Sequence, residues 1–328
     1  MPRFIAALLL LASVASAAPY LGQPTPGSEP ELFDSPILAI GARTRDFTFS
    51  PDGREFTFCV MVGGFRYVTM LTSKLQDGRW TEPEALPFAT DPNWKFFEPH
   101  VTPDGQRLFY VSDRPAVEGQ EGSEDIWVAE RQGDGWAEPR CLDAPINTPT
   151  SEFYPSVTRS GVLYFTRRDA ETRVESIMRA EPDGNGGWLE PVKLPEQVNA
   201  APSQFNAFID PDDRFLIVSY ASHPENLGQV DYWVAFREPD GTWRGPVNLG
   251  DKINGPAREG WSCTVSPDGK YLFFLSSRDR LDGRDKPLSW ARLRQLHEEP
   301  GNGLGHMWWV EADFIEDLRA QAEKTGDQ

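Results

Sequence analysis

The stretch from Glu98 to Leu142, EPHVTPDGQRLFYVSDRPAVEGQEGSEDIWVAERQGDGWAEPRCL, decides the fold of this chain. It contains a Pro-Asp-Gly turn at 103–105, apolar runs at 108–111 and 125–129, and a last segment that begins with Trp136 and includes Pro139. Short runs rich in β-branched and aromatic residues, separated by turn residues, are typical of β-strands. The alternating residues before the turn add one more strand, so the stretch predicts four short strands in succession.

This arrangement recurs along the whole chain. The equivalent turn tripeptides begin at Pro51, Pro103, Arg159, Pro211 and Pro267, with spacings of 52, 56, 52 and 56 residues. A period near 50 with several short strands in each repeat indicates a propeller rather than a helical solenoid. The predicted fold is therefore an all-β, five-bladed β-propeller of four-stranded blades. The alternative, six blades, needs a repeat for which we find no sequence.

The fifth repeat has no fourth segment at its C-terminal end. Phe33 to Leu38, near the N-terminus, matches the pattern of the other fourth segments, with Phe in place of Trp. We therefore expect an N-terminal strand to complete the last blade, which removes the free edges of the ring. The predicted organisation is a signal peptide at 1–17, a leader at 18–30, a single propeller at 31–320 with an inserted loop at about 280–305, and a tail at 321–328.

The N-terminal residues predict secretion or transfer to the periplasm. Arg3 is followed by an apolar run from Ile5 to Val14 and by Ala-Ser-Ala at 15–17, which is the usual cleavage pattern of a signal peptide. The run is well short of the roughly 20 residues that a membrane-spanning helix needs. We expect no insertion into a membrane.

Composition excludes several classes of partner. The formal net charge is −18, so the chain repels phosphate backbones and anionic lipid surfaces, and we expect no nucleic-acid partner. The three cysteines, Cys59, Cys141 and Cys263, fall in predicted strands, so at most one pair can form and three buried thiols are the preferred interpretation. The four histidines show no zinc-ligand spacing, and no nucleotide or cofactor motif occurs. We expect no metal, no cofactor and a monomer.

The repeat also resembles a known family. The pattern E-P-x-V-T-P-D-G, followed by S-D-R, D-I-W-V and W-x-E-P in that order, is similar to the WD-like repeats of TolB-type propellers and of propellers joined to OmpA-type domains. The resemblance covers nearly all of the chain after residue 30. It implies a secreted or periplasmic propeller that binds a protein or a component of the cell envelope, although the chain shows neither the TolB N-terminal domain nor an OmpA-type domain.

Alignment on the turns places one residue of each innermost strand in a ring around the channel. These residues are Asp46, Glu98, Tyr154, Asn206 and Ser262. Two positions later the same face carries Thr48, His100, Ser156, Phe208 and Thr264. The residues on this side of the strands are mostly polar, whereas those on the opposite side, which include Phe205 and Trp261, are mostly apolar. The predicted ligand site is therefore a channel mouth lined by Asp46, Glu98, His100, Tyr154, Asn206 and Ser262.

A catalytic alternative uses the same ring. Glycosidases need a carboxylic acid and a carboxylate on either side of a glycosidic bond, and Asp46, Glu98 and His100 are the residues that could serve. Only two adjacent blades supply a carboxylate, which is not a complete catalytic set. The favoured interpretation is a non-catalytic binding propeller that recognises a protein or an envelope glycan, and a glycosidase-like enzyme is the alternative.

The fifth repeat carries the insertion, between its second and third strands. The insertion contains a segment with helical spacing, Leu288 to His297, and brings basic residues to an otherwise acidic chain. Those predicted to contact a ligand are Arg284, Lys286, Arg292 and Arg294. Loops of this length in a compact domain are usually functional or disordered, so we expect the insertion to take part in binding.

Overall fold

The computed structural model describes residues 20–35, 37–38, 41–117, 119, 121–256, 260–281 and 286–325. Within these residues, five small antiparallel sheets form the blades of a propeller. The five-bladed fold predicted from the repeat spacing is confirmed, and the alternative of six blades is wrong. The predicted signal peptide lies outside the described residues.

Each blade has three inner strands and an outer strand, which is short or broken in every blade except blade four. Blade five begins the numbering, with β1 at Glu31–Leu32. Blade one contains β2 Arg43–Phe49, β3 Glu55–Val62, β4 Tyr67–Gln76, β5 Arg79–Trp80 and β6 Glu84–Ala85. Blade two contains β7 Phe96–Val101, β8 Arg107–Ser112, β9 Asp125–Gln132, β10 Gly135–Trp136 and β11 Arg140–Cys141. Blade three contains β12 Glu152–Val157, β13 Leu163–Arg168, β14 Glu175–Ala180 and β15 Val192–Lys193. Blade four contains β16 Ser203–Ile209, β17 Phe215–Ala221, β18 Val230–Arg237 and β19 Trp243–Asn248. Blade five is completed by β20 Cys263–Val265, β21 Tyr271–Ser276 and β22 His306–Glu311.

The ring is closed by the N-terminal strand, as predicted. Strand β1 pairs with β22, with Leu32 opposite Trp308, and the N–H of Phe33 donates to the carbonyl of Met307 at 2.9 Å. The paired residues lie just before the 33–38 segment that the sequence pattern indicates. The Phe33 side chain is buried and meets Phe47 of blade one, with ring centroids 6.2 Å apart. The closing strand thus joins the last blade to the first.

The hydrophobic core lies between the blades. Five clusters of buried side chains each fill the space between two neighbouring blades. Trp188 of blade three contacts Phe109 of blade two, and Trp243 of blade four contacts Tyr164 of blade three. The repeated tryptophans therefore join neighbouring blades, because their rings bury large apolar areas there.

A repeated asparagine ties each outer segment to the blade. Asn147 accepts the N–H of Ile126 at 3.0 Å and donates to the carbonyls of Ile126 and Leu142. Asn199 makes the same three bonds one blade later, to Ile177 and Leu194. These side chains satisfy backbone groups that an irregular outer strand leaves unpaired.

Two α-helices accompany the sheets: α1, Trp290–Glu298, in the insertion, and α2, Phe314–Thr325, after the last strand. Helix α2 packs Ile315 and Leu318 into the cluster between blades four and five, and it extends beyond the predicted propeller boundary at residue 320. The predicted leader also packs on the ring, since Tyr20 is buried against Tyr271, with centroids 5.1 Å apart.

Candidate binding site at the channel mouth

Four of the five innermost strands carry a β-bulge at the same height. The ladder register shifts next to Asp46, Glu98, Tyr154 and Asn206, and each of these residues has a positive φ, between 40° and 56°. Residues other than glycine rarely adopt this conformation, and bulges commonly redirect side chains next to functional sites. Four of the five residues of the predicted ring thus lie at equivalent bends of their strands.

The residue before each ring position faces one mouth of the channel. These residues are Arg45, Phe97, Phe153, Phe205 and Trp261. Together they line a cavity of about 630 Å³, which we call the mouth cavity. Of the predicted ligand residues, Glu98 and Asn206 also line it. Strict alternation places Phe205 and Trp261 on the other side; for Phe205 the bulge is the physical reason why it faces the cavity, and Trp261 lies just before strand β20 begins.

The Tyr154 side chain links blade three to blade five. Its hydroxyl donates to the carbonyl of Cys263 at 2.8 Å and accepts the N–H of the same residue at 3.1 Å. Blades three and five are not neighbours, so the side chain spans the channel. A second cavity, of about 180 Å³, opens at the opposite mouth among the turn residues and includes His100. The structure therefore separates His100 from the mouth cavity.

A buried charge cluster lies beneath the aromatic wall. Arg45 Nε donates to Asp46 Oδ2 at 2.5 Å, and its Nη2 donates to Glu98 Oε1 at 3.0 Å. Glu98 Oε2 accepts the N–H of Tyr154 at 2.8 Å. The three charged side chains are more than nine-tenths buried. Asp46 and Glu98 are therefore brought together by one shared guanidinium.

This arrangement shifts the pKa of both Arg45 and Glu98. Burial, the nearby Asp46 carboxylate and Glu124 raise the pKa of the Glu98 carboxyl to about 8, and Arg45 opposes this only in part. Burial disfavours the charged form of Arg45, but Asp46 and Glu98 outweigh it and raise the pKa of the guanidinium. Because one cation faces two carboxylates, a proton on Glu98 leaves the cluster of three without net charge.

His100 serves the scaffold in this structure. Its Nε2 accepts the N–H of Val157 in the next blade at 3.0 Å, and burial lowers the pKa of its imidazole to about 4. Thr48 accepts the N–H of Val101 in the same manner, and Ser156 accepts that of Ile209. These side chains bind the inner strand of one blade to that of the next.

Unsatisfied polar atoms remain at the ring level. Asp46 Oδ1, Asn206 Oδ1 and Ser262 Oγ are buried and have no hydrogen-bond partner among the described residues. Asp46, Asn206 and Ser262 are respectively 2%, 3% and 0% exposed. Leaving such atoms unpaired costs about 1–3 kcal/mol each. Of the three residues, Asn206 lines the mouth cavity.

The rim of the mouth cavity carries both charged and apolar groups. Arg168 pairs with Glu175 at 2.9 Å, and Glu175 also accepts a hydrogen bond from Ser203. The half-buried Glu124 lines the cavity, and no hydrogen bond or ion pair of its carboxylate occurs within the described part of the chain. The Arg43 guanidinium lies over Trp261 on the far wall, 5.5 Å from the ring centroid.

The insertion lies on the same face as the mouth cavity. Gly305, at its end, packs against Arg43, and Asn302 donates to the carbonyls of Gly41 and His297. Only glycine fits at position 41, because a Cβ there would lie 2.4 Å from the carbonyl oxygen of His297. The insertion is thus anchored beside the cavity rim.

The exposed side of the insertion is apolar and basic. Leu288, Trp290 and Leu293 are 71%, 78% and 47% exposed. Lys286, Arg292 and Arg294 accompany them, with Arg292 partly buried and the other two exposed. Ser289 caps helix α1 by accepting the N–H of Arg292. Arg284, predicted to contribute, lies outside the described residues.

Three further features concern metal ions, cysteines and membrane spans. No cluster of His, Cys, Asp or Glu there could hold a metal ion. Cys59, Cys141 and Cys263 are free thiols. Among the helices of the same residues, none combines the length and the apolar character needed to cross a bilayer.

No family model matches the chain, and no curated protein matches its sequence. TolB-type propellers are among the solved structures that resemble it. A protein of Agrobacterium tumefaciens assigned to TolB is 17% identical, with 72% of this chain and 70% of that chain covered and a TM-score of 0.47. TolB of Acinetobacter baumannii is 14% identical, with 83% and 57% covered and a TM-score of 0.46. A glycoside hydrolase is 14% identical, with 77% and 87% covered and a TM-score of 0.49. At these values the likenesses carry no argument about activity.

Proposed function

We propose that this chain is a secreted or periplasmic binding propeller that holds a projecting segment of a partner protein in the mouth cavity, with the insertion as part of the same interface. The observation that carries the proposal is the aromatic mouth cavity together with the exposed Leu288, Trp290 and Leu293 of an insertion that is anchored at Gly41 and Arg43, on the same face. Exposed apolar patches next to a concave site are typical of protein interfaces. Secretion rests on the signal-peptide pattern at 1–17.

A protein fits this face better than an envelope glycan. Aromatic rings serve both ligand classes, but aliphatic leucines at 71% and 47% exposure gain little from the hydroxyl-rich surface of a sugar. The size of the cavity, about 630 Å³, is within the range of small-ligand pockets, which suits one or two side chains of a protruding segment. Binding of a glycan remains the competing outcome.

The test is capture of partners from envelope extract by the immobilised protein and by two variants. Ala221→Trp fills the mouth cavity, which Ala221 lines, without removing a polar group. The triple change Leu288→Ser, Trp290→Ser, Leu293→Ser removes the apolar patch of the insertion. Leu189→Ser with Val192→Ser, two exposed apolar residues in the outer segment of blade three, is the matched control.

We expect both site variants to lose a captured protein that the wild type and the control retain, and protease treatment of the extract to abolish its capture. Equal recovery by all variants would contradict the proposal. Capture of a polysaccharide that survives protease would replace the protein partner with a glycan.

A glycosidase-like activity is the second candidate, and one observation favours it. Glu98 holds a proton near neutral pH at the floor of an open cavity, as a general acid must. Turnover of oligosaccharides by the wild type that is lost in Glu98→Gln and kept in Glu190→Gln would establish the enzyme. Glu190 is exposed outside the mouth cavity, which makes it the matched control.

A further inference from the structure

We propose that the mouth cavity recognises a cationic group of its ligand, an ammonium or a guanidinium, and holds it against Glu98 and Glu124. This rests on the proposed function and specifies the chemistry of the bound segment. A lysine side chain, an arginine side chain or a free N-terminus would supply such a group.

The first argument is the kind of polar atom that the site presents. Glu98, Asn206 and Glu124 line the cavity. Asn206 Oδ1 is buried and lacks a donor, and the Glu124 carboxylate has no hydrogen-bond or ion-pair partner among the described residues. Both groups present acceptor oxygens. An ammonium or a guanidinium has donors and no acceptor, so it complements them.

The second argument is the one carboxylate of the wall that is left unpaired. Arg45 pairs with Asp46 and Glu98, and Arg168 pairs with Glu175. The Glu124 carboxylate lines the same cavity and has no ion pair among the described residues. A cation that enters beside Glu124 would pair with it.

The third argument is the aromatic wall, which already surrounds cations. The Arg45 guanidinium lies 5.4 Å from the ring of Phe65 and 5.6 Å from that of Phe97. Aromatic rings at this distance attract cations, more strongly where water is excluded. A cation that enters the mouth cavity meets further rings of the same wall, those of Phe153 and Phe205.

Binding should be linked to proton release. Glu98 faces Arg45 and Asp46 of β2, Cys59 of β3, Glu124 before β9 and the backbone of Tyr154 in β12. Burial and the two neighbouring carboxylates hold a proton on Glu98 near neutral pH, since they raise its pKa. A cation favours the ionised form, so affinity should increase as the pH rises from about 6 to about 8.

The experiment measures the binding of four small probes to the full chain by saturation-transfer NMR. The cationic probes are Nα-acetyl-lysine amide and Nα-acetyl-arginine amide. Their neutral near-isosteres are Nα-acetyl-norleucine amide and Nα-acetyl-citrulline amide. We expect at least one cationic probe to bind about tenfold more tightly than its neutral counterpart. Glu124→Gln should remove most of that preference, and Glu190→Gln should leave it unchanged.

Equal affinity of charged and neutral probes, absence of binding by all four, or an unchanged preference in Glu124→Gln would each overturn the inference. If the cationic probes fail while Ala221→Trp still abolishes partner capture, only the cationic group is wrong and the binding propeller stands. If Ala221→Trp has no effect on capture, the proposed function fails as well.

Discussion

The hydroxyl of Tyr154 in blade three lies 2.8 Å from the carbonyl oxygen of Cys263 in blade five and 3.1 Å from the nitrogen of the same residue. One side chain therefore bridges two blades that share no interface.

We expect Tyr154→Phe to lower the free energy of unfolding by about 1–3 kcal/mol, because the buried backbone groups of Cys263 lose their partner. Urea denaturation measures the change. Tyr67→Phe, at a tyrosine that is 48% exposed, is the control and should be nearly neutral. Equal stability of the two variants would contradict a bridging role for Tyr154.

The pH dependence of stability should reveal the raised pKa of Glu98. The pKa of its carboxyl is raised in the folded protein, from 4.5 to about 8, so the unfolded chain releases the proton first as the pH rises. Stability present below pH 4.5 is therefore lost progressively up to about pH 8, by an amount on the order of a few kcal/mol.

Glu98→Gln should abolish this loss, so the variant gains stability relative to wild type between pH 5 and pH 8. Unfolding in urea at several pH values measures the difference, and Glu190→Gln controls for the removal of a carboxyl group. Parallel profiles for wild type and Glu98→Gln would mean that Glu98 is ionised in the folded protein throughout this range.

His100 should change the stability with pH in the opposite direction to Glu98. Burial lowers the pKa of its imidazole from 6.5 to about 4, so the unfolded chain takes up the proton first as the pH falls. The stability that neutral His100 contributes is complete above pH 6.5 and is lost on acidification toward pH 4. Because the ring is partly exposed to the cavity on the turn side, we expect about 1–2 kcal/mol.

The substitution His100→Gln keeps an acceptor for the N–H of Val157 and cannot take up a proton. The variant should therefore lose less stability than the wild type between pH 6.5 and pH 4, as measured by urea denaturation at each pH. An identical acid dependence of the two proteins would show that His100 is already protonated in the fold.

The number of blades and their closure could be predicted because they depend on local chemistry that repeats. A turn tripeptide recurs at 52 or 56 residues, and each repeat carries the same strand pattern. The same alignment located Glu98 and Asn206 at the cavity. Ring closure followed from the segment at 33–38, although the paired residues are Glu31 and Leu32.

The cavity wall could not be predicted from alternation, because a bulge reverses which side a residue faces. The signal was present one residue earlier in the same alignment: Arg45, Phe97, Phe153, Phe205 and Trp261 recur with the spacing of the turns. The hydrogen bonds of Tyr154 to Cys263 depend on side-chain directions across the channel, and so do the ion pairs of Arg45 with both Asp46 and Glu98. No local sequence pattern encodes those directions.

Substitutions in the buried charge cluster of Arg45, Asp46 and Glu98 test whether these charges stabilise one another. Arg45 is buried between Asp46 and Glu98, so Arg45→Met leaves carboxylates in a place with little water. Removing one partner of a buried ion pair typically costs about 3–5 kcal/mol, because the remaining charge is unpaired. Glu98 can take up a proton, whereas the Asp46 charge stays close to the vacated position.

Adding Asp46→Asn to Arg45→Met should therefore recover much of the lost stability, although each single change is destabilising. The control is Arg159→Met, which breaks an exposed ion pair with Asp212 and should leave stability nearly unchanged. Urea denaturation of the single and double variants gives the coupling energy. If the two changes add without coupling, Arg45 acts through packing of its side chain rather than by neutralising Asp46.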